Sequence, residues 1–152
     1  MQRRLLRGAW PWLGLLFVLA VEGCSLPRWP VSGPMTSPFG LRMRGLRPGV
    51  HHGVDIAVPE GTPVRAMRRG KVLRAGWAQG YGWMVMLDHG GGVYSLYAHL
   101  SEVQVKEGER VDDRAVIGLS GRSGNASGAH LHFEVWRHGW PEDPVLLLGG
   151  KP

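Results

Sequence analysis

Glycine is the feature that most restricts what this chain can fold into. The 152-residue sequence contains 24 glycines and 11 prolines, and glycine has about twice its ordinary share of a globular protein. Both residues end helices and strands, so they divide the chain into short segments. No Gly-X-Y period connects the glycines, which excludes a collagen-like protein. Between residues 31 and 148 no apolar pattern with helical spacing lasts three turns, which argues against long helices.

The apolar runs between glycines and prolines have the composition of β-strands, because they are rich in β-branched and aromatic residues. We predict eight strands, over 54–58, 63–67, 71–76, 83–89, 93–99, 103–105, 115–120 and 131–136. The expected fold class is mainly β: an antiparallel β-sandwich or partly open barrel of short strands with Gly-rich loops and one helical turn. About 118 residues are enough to bury a working core without help from a metal.

The N-terminus has the pattern of an export signal. Three arginines within the first seven residues precede an uncharged apolar run over 9–21, which is short for a membrane span but fits the core of a signal peptide. Cys24 is the one cysteine of the chain, so an intrachain disulfide and a Cys-based zinc finger are excluded. The small residue Gly23 before Cys24 resembles a bacterial lipoprotein signal, in which the cysteine receives the lipid.

We therefore expect a signal peptide of the lipoprotein type over 1–23, a tether over 24–34 and a folded domain over 35–148. The protein would be exported to the cell envelope and lipid-anchored to the membrane at Cys24, facing the periplasm. Secretion and an uncleaved N-terminal anchor are the alternatives. The net charge of +6 suits an anionic wall polymer or lipid, and no nucleic acid is expected as a partner, since no motif for binding one is present.

Histidines and one aspartate stand at spacings that suit a metal site. His51 and Asp55 are four residues apart, which puts them on one side of a strand or a helix. His130 and His132 share one face of a predicted strand, and His99 ends another. Two histidines and one carboxylate form a set of three ligands that suits zinc and leaves a fourth position for water, as in catalytic sites.

Two segments permit a different interpretation of the fold. Residues 60–76 and 105–118 look like the hairpins of biotinyl or lipoyl carrier domains. Such carriers need a modifiable lysine in a tight turn, and no lysine stands at a suitable place here. The basic stretch from Arg65 to Arg74 is typical of a solvated strand face, and it also suits contact with anionic wall or lipid.

The order of the motifs resembles one family. HxGxD at 51–55, YAHL at 97–100 and GAHLHFEV at 128–135 follow one another as in the LytM-type, lysostaphin-like zinc metallopeptidases of peptidoglycan. The resemblance covers about 37–144 and includes SPFGLR at 37–42. It implies the lysostaphin-like fold, of the duplicated hybrid motif type.

This resemblance implies a zinc-dependent endopeptidase that hydrolyses the peptide cross-links of bacterial peptidoglycan, with one Zn²⁺ per chain. Its partners would be those cross-links, the membrane through Cys24, and amidase or divisome proteins. The implied zinc ligands are His51, Asp55 and His132, and the implied catalytic histidines are His99 and His130.

Several assignments stay open at the level of the sequence. His52 adjoins His51, so the doublet offers a second candidate for the first ligand, and nothing decides which of His99 and His130 is the general base. Family members often have a tyrosine upstream of the first ligand that helps to hold the oxyanion. None lies between residues 25 and 51, and the arginines at 42 and 47 are the candidates to replace it.

The family also contains proteins that have lost ligands and act by binding. The alternative function is therefore a non-hydrolytic module of the same fold, which binds the wall or activates an amidase. All five implied site positions are present in this sequence, which favours the enzyme.

Overall fold

The computed structural model describes residues 26–44 and 46–152. The predicted signal peptide over 1–23 and the predicted lipid site, Cys24, lie outside the described residues. Within the described ranges, no helix has the length and apolar character needed to cross a membrane.

Short strands dominate the described part of the chain, as the spacing of glycines and prolines predicts. The strands are β1 (Met35–Ser37), β2 (Gly40–Arg44), β3 (Arg47–His51), β4 (Gly53–Ile56), β5 (Pro63–Arg65), β6 (Gly70–Ala78), β7 (Gly82–Asp88), β8 (Val93–Val103), β9 (Arg110–Val111), β10 (Val116–Ser120), β11 (Leu131–Arg137) and β12 (Trp140–Glu142), and the one helix in these ranges is α1 (Pro144–Leu148). All pairings among them are antiparallel. The predicted mainly β, antiparallel fold class is confirmed.

One large sheet carries most of the strands. Its order is β1-β4-β11-β8-β7-β6-β9, with β12 paired to β11 and with β10 bridging β8 and β5. β2 and β3 pair with each other as a separate ribbon. The ribbon ends at His51, and the chain enters β4 two residues later, so the ribbon and the sheet meet at the predicted HxGxD motif.

Two neighbouring predicted strands meet in one observed strand, β8. The strand predicted over 93–99 continues to Val103, because the backbone bends at His99 and then pairs with β10 instead of β11. The prediction of a separate strand over 103–105 is therefore wrong, since Val103 belongs to β8. The sequence analysis does not predict β1, β9 and β12, because each has only two or three residues. It also does not predict the ribbon strands: β2 alternates Leu41 and Met43 with polar residues but has no β-branched or aromatic residue.

The main core lies on one face of the central strands. On β11, Leu131, Phe133 and Val135 are fully buried there, and the ring of Tyr97 on β8 packs 5.3 Å from that of Phe133. Each such buried side chain contributes about 1.5–3 kcal/mol to stability. Because side chains alternate along a strand, the residues between them, which include His132, point to the opposite face.

The chain before β1 is packed against this core. The backbone N–H of Arg28 donates to Met67 O at 3.0 Å, the ring of Trp29 lies 6.2 Å from that of Phe133, and Val31 is buried. Part of the segment predicted as a tether is thus in contact with the folded body.

A chain of polar side chains, half-buried at His89 and buried at Ser95 and Tyr97, lies away from the cleft. His89 Nδ1 lies 2.8 Å from Arg69 O and its Nε2 lies 2.7 Å from Ser95 Oγ. Ser95 Oγ in turn lies 2.8 Å from Tyr97 OH. Burial lowers the pKa of His89 and raises the pKa of Tyr97 to about 12, so both groups are held in their neutral forms.

Candidate metal centre

The register between β4 and β11 brings two of the predicted site residues together. Asp55 and His132 are direct cross-strand partners, and such partners point to the same face with Cβ atoms about 5 Å apart. His132 Nδ1 lies 2.8 Å from Asp55 Oδ1. The contact is fixed by the sheet ladder itself.

His51 reaches the same point from the end of β3. Its Nε2 lies 3.2 Å from Asp55 Oδ1 and 3.1 Å from His132 Nδ1. His51 and His132 are buried and Asp55 is half-buried. The ligand atoms that these three residues offer all lie within 4.8 Å of one another.

Each of the three side chains also makes a hydrogen bond on the side that faces away from the cluster. His51 Nδ1 donates to Pro38 O at 2.7 Å, and His132 Nε2 donates to Glu134 Oε1 at 2.8 Å. With a metal bound, these bonds keep the ring protons on the outer nitrogens, while the inner nitrogens give up their protons and bind the metal, as supporting residues commonly arrange. Asp55 Oδ2 accepts from Arg42 Nη1 at 3.4 Å, which turns Oδ1 inward.

This donor set fits a zinc ion. Two imidazole nitrogens and one carboxylate oxygen are ligands that zinc prefers. Tetrahedral zinc with bonds of about 2.0–2.1 Å places its ligand atoms about 3.3 Å apart, and the observed separations are 2.8, 3.1 and 3.2 Å. The three atoms need to separate by only a few tenths of an ångström.

The ionisation states of Asp55, His132 and Glu134 depend on one another. Burial opposes ionisation of Asp55, but the hydrogen bonds from His132 and His51 prevail and hold the pKa of Asp55 far below its usual range. Burial likewise opposes charging of His132, while its bonds to Asp55 and Glu134 raise the pKa of His132. Glu134 stays ionised for a similar reason: burial raises its pKa, but the hydrogen bonds from His132, Trp136 and Tyr81 together with the charge of His132 outweigh burial and lower the pKa.

His99 and His130 lie across the cleft from these ligands. Their rings are 4.7 Å apart, and His130 Nε2 is 3.8 Å from Asp55 Oδ1. His99 Nδ1 donates to Ser123 O and His130 Nδ1 to Gly128 O, both at 2.8 Å. In the neutral ring, Nε2 is then the unprotonated nitrogen and can accept a proton.

The backbone of His99 is shaped for this position. Its φ is +61°, a left-handed conformation that is uncommon for a residue other than glycine. Its N–H donates to Tyr81 O at 2.8 Å, which fixes the bend in β8. Burial is the main reason that the pKa of His99 is lowered, and the neighbouring His130 and His132 lower it further.

Two loops locked together form one wall of the cleft. Asn125 N–H donates to Gly80 O at 2.9 Å, and Trp83 N–H donates to Ser123 Oγ at 3.0 Å. Gly124 has φ +70°, and a Cβ added there would collide with the backbone nitrogen of Gly82, so only glycine allows this approach. The cleft has a volume of about 580 Å³, and it is lined by all five predicted site residues.

The remaining candidates of the sequence lie as follows. His52 is exposed at the rim of the cleft, with its ring 5.6 Å from that of Trp136. Arg42 lines the cleft beside Asp55, and the side chain of the arginine at position 47 lies outside the described part of the structure. The structure thus places His51 in the cluster and His52 beside it.

The sequence reasoning missed two residues of the cleft, Tyr81 and Glu134. Glu134 stands two positions after His132 on the same strand, so the period of two could have identified it. Tyr81 lies in the turn before β7, and its ring is 5.8 Å from that of His132. No pattern in the sequence indicated that contact, since it depends on how the turn packs against the sheet.

The domain combines an antiparallel β fold, a His-Asp-His centre and two further histidines across an open cleft. These features together are those of the metallopeptidase class. The sequence profile of Peptidase family M23 matches residues 49–144, and the chain belongs to this family.

Known relatives resemble the chain over most of its length. The DD-carboxypeptidase/endopeptidase Mpg of Neisseria meningitidis serogroup B is 44% identical over 120 residues, which are 78% of this chain and 28% of the relative. The murein hydrolase activator EnvC of Escherichia coli is 38% identical over 132 residues, 84% of this chain and 31% of EnvC. The chain therefore spans less than a third of either relative.

A solved structure of similar size gives a closer match in length. The catalytic domain of the antimicrobial peptidase lysostaphin from Staphylococcus simulans superposes with a TM-score of 0.71 at 33% identity. The match covers 78% of this chain and 93% of that domain. The fold of this protein is that of the lysostaphin catalytic domain.

Proposed function

We propose that this protein is a zinc-dependent endopeptidase that hydrolyses the peptide cross-links of bacterial peptidoglycan. The observation that carries the proposal is the convergence of His51, Asp55 and His132 on one point, with His99 and His130 facing it across the cleft. The relative Mpg is a DD-carboxypeptidase/endopeptidase, and this relative and the likeness to lysostaphin support a peptide substrate in the cell wall.

His51, Asp55 and His132 would hold one zinc ion through Nε2, Oδ1 and Nδ1. The chemistry that a zinc ion would supply there is polarisation of the scissile carbonyl and activation of a water molecule, whose pKa it would lower to about 7. The ligand atoms are already gathered by the β4–β11 ladder and by their outer hydrogen bonds, so little reorganisation is needed.

His99 would take the proton of the attacking water. Its Nδ1–H is engaged by Ser123 O and its lowered pKa favours the neutral ring, so Nε2 is available as a base. His130 Nε2 faces the same space. In its protonated form it would donate a hydrogen bond to the developing oxyanion, which stabilises the charge of the transition state.

The site of action would be the cell envelope. The signal-like N-terminus and Cys24 support export and lipid anchoring to the membrane, facing the periplasm, with amidase or divisome proteins as further partners. Labelling of cells with radioactive palmitate, compared between the natural protein and Cys24→Ala, tests the anchor. Label on the natural protein alone supports it.

The second candidate is a regulatory module that activates an amidase without cutting peptides. The observation that favours it is the 38% identity with the murein hydrolase activator EnvC over 84% of this chain. A single assay separates the two candidates: the full-length protein in detergent is incubated with purified peptidoglycan, with and without a purified cell-wall amidase. New peptide termini without the amidase indicate the endopeptidase. Stimulated release of whole stem peptides, seen only with the amidase, indicates the activator.

A further inference from the structure

Glu134 is a buried carboxylate that the mechanism above does not use. It is 2% exposed and accepts three hydrogen bonds. Oε1 accepts from His132 Nε2 at 2.8 Å and from Tyr81 OH at 2.9 Å, and Oε2 accepts from Trp136 Nε1 at 2.6 Å. One side chain therefore connects a metal ligand, a cleft residue and the sheet behind them.

The fold makes room for this carboxylate. Glu134 is the cross-strand partner of Gly53 on β4. A Cβ at Gly53 would lie 2.8 Å from Glu134 Cγ and would collide with Phe133 O. The glycine of the HxGxD motif thus leaves space for the Glu134 side chain on the face that carries His132.

We propose that Glu134 is a positioning residue of the metal centre, which fixes His132 as the Nε2–H tautomer and at the same time orients the Tyr81 hydroxyl. The inference rests on the proposed function, because it assigns the support of the same site. His132 then offers Nδ1 to the metal, and turning its ring would take one of three donors from the buried Glu134 charge, which is costly.

A carboxylate is needed at this position rather than any polar group. The three partners are all donors, and they reach both oxygens of Glu134. A glutamine has one acceptor oxygen and one NH₂ group. In either orientation its NH₂ would face at least one N–H or O–H donor, so Glu134→Gln breaks the arrangement although it conserves the shape.

The same arrangement fixes the role of Tyr81. Its hydroxyl has one proton, and that proton is donated to Glu134. The phenol oxygen keeps its lone pairs toward the cleft that Tyr81 lines. Tyr81 therefore accepts a hydrogen bond from an N–H group of the substrate peptide and does not donate to the oxyanion.

The test compares Glu134→Gln with Glu142→Gln in the full-length protein. Glu142 lies on β12 and pairs with Arg137 at the surface, so its variant is a matched control.

Zinc affinity is measured by competition with a chromophoric chelator. The tautomer of His132 is read from ¹⁵N NMR of the metal-free, histidine-labelled protein at alkaline pH, because zinc on Nδ1 would by itself hold the proton on Nε2. Glu134→Gln should weaken zinc binding by about 10–100-fold, as loss of a residue that supports a metal ligand typically does. It should also lose the protonated Nε2 signal of His132. Glu142→Gln should change neither the zinc affinity nor this signal.

Two milder variants keep the test decisive if Glu134→Gln does not fold. Trp136→Phe removes the donor at Oε2 alone and should weaken zinc binding by a smaller factor. Tyr81→Phe should raise KM for a peptide substrate with little change in kcat. The inference would be overturned if folded Glu134→Gln kept wild-type zinc affinity and an unchanged His132 tautomer. If Glu134→Gln does not fold, the same result in Trp136→Phe would overturn it. Either result would leave the proposed function standing. A wild-type protein that binds no zinc would overturn both.

Discussion

His132 Nδ1 lies 2.8 Å from Asp55 Oδ1, and the two residues are opposite each other on neighbouring strands of one sheet. The spacing of these ligands is therefore set by backbone hydrogen bonds and by the core beneath them. Small zinc domains that are unfolded without their metal gather their ligands only on binding. Here the ligands are gathered by the fold, which suits a site that must hold a reactive geometry.

The histidine doublet gives a sharp test of the ligand set. His51→Ala removes a proposed ligand whose Nε2 lies 3.1 Å from His132 Nδ1, whereas His52→Ala removes an exposed ring at the rim. We expect His51→Ala to lower zinc affinity by more than about 100-fold, beyond the effect of losing an outer partner. His52→Ala should stay within about twofold of the natural protein, as surface substitutions usually do. Zinc titration of both variants checks this, and equal losses would contradict the assignment.

The two free histidines should separate catalysis from metal binding. His99→Ala and His130→Ala remove groups whose Nδ1 atoms donate to backbone carbonyls rather than to the ligand cluster. Each should lower kcat by about 10²–10⁴-fold, the usual contribution of acid–base catalysis, while zinc stoichiometry stays at one. Kinetics on a cross-linked peptide and metal analysis of the same samples provide the measurement. Loss of zinc in either variant would show that the histidine is a ligand.

The loop that carries Ser123 offers a matched pair of glycines. Gly124 has φ +70° and no room for a Cβ, whereas nothing lies within 4 Å of a Cβ placed at Gly128. Gly124→Ala should lower the free energy of unfolding by at least about 1–2 kcal/mol, the cost of the left-handed conformation alone. It should also reduce activity, because Ser123 holds His99. Gly128→Ala should change stability by less than about 0.5 kcal/mol. Denaturant unfolding compares the two variants. A Gly124→Ala variant with the stability of the natural protein would contradict the close contact between the two loops that form this wall of the cleft.

The half-buried His89 should make stability depend on pH. Its pKa is lowered in the folded protein, so just below the ordinary histidine pKa of about 6.5 the unfolded chain binds more protons than the folded one. The contribution of His89 is therefore present above about pH 6.5 and is lost as the pH falls from there toward the folded-state pKa.

Two asparagine variants isolate this effect in unfolding curves between pH 7 and 5. His89→Asn should be less stable at pH 7 but should lose less stability on acidification than the natural protein. His138→Asn changes an exposed residue with φ +51°, a conformation that asparagine tolerates, and should keep the natural slope. Parallel curves for all three proteins would show that His89 does not contribute.

Local patterns in the sequence were enough for the fold class and for part of the site. The period of two places His130 and His132 on one face, and the spacing of four relates His51 to Asp55, because both are properties of a short backbone segment. The contact between Asp55 and His132 joins residues 77 apart in the chain. No spacing rule gives the register of such distant strands, and only the family resemblance indicated it.

The missed features depend on tertiary packing in the same way. His99 was expected to end its strand, but it lies inside β8 in a left-handed conformation that is held by Tyr81 O. That bend follows from how a separate turn packs on the strand. Glu134 differs, since its position two residues after His132 made it detectable as a polar residue on the site face.

The most direct test of the central claim is the release of peptide fragments from purified peptidoglycan by the full-length protein, identified by mass spectrometry. The natural protein, the same protein with a zinc chelator, the chelated protein after zinc is restored, and His132→Ala are compared. The account predicts new peptide termini from cleaved cross-links, which disappear with the chelator and in His132→Ala and return with zinc. Intact cross-links in the zinc-loaded natural protein, or termini that persist in His132→Ala, would contradict it.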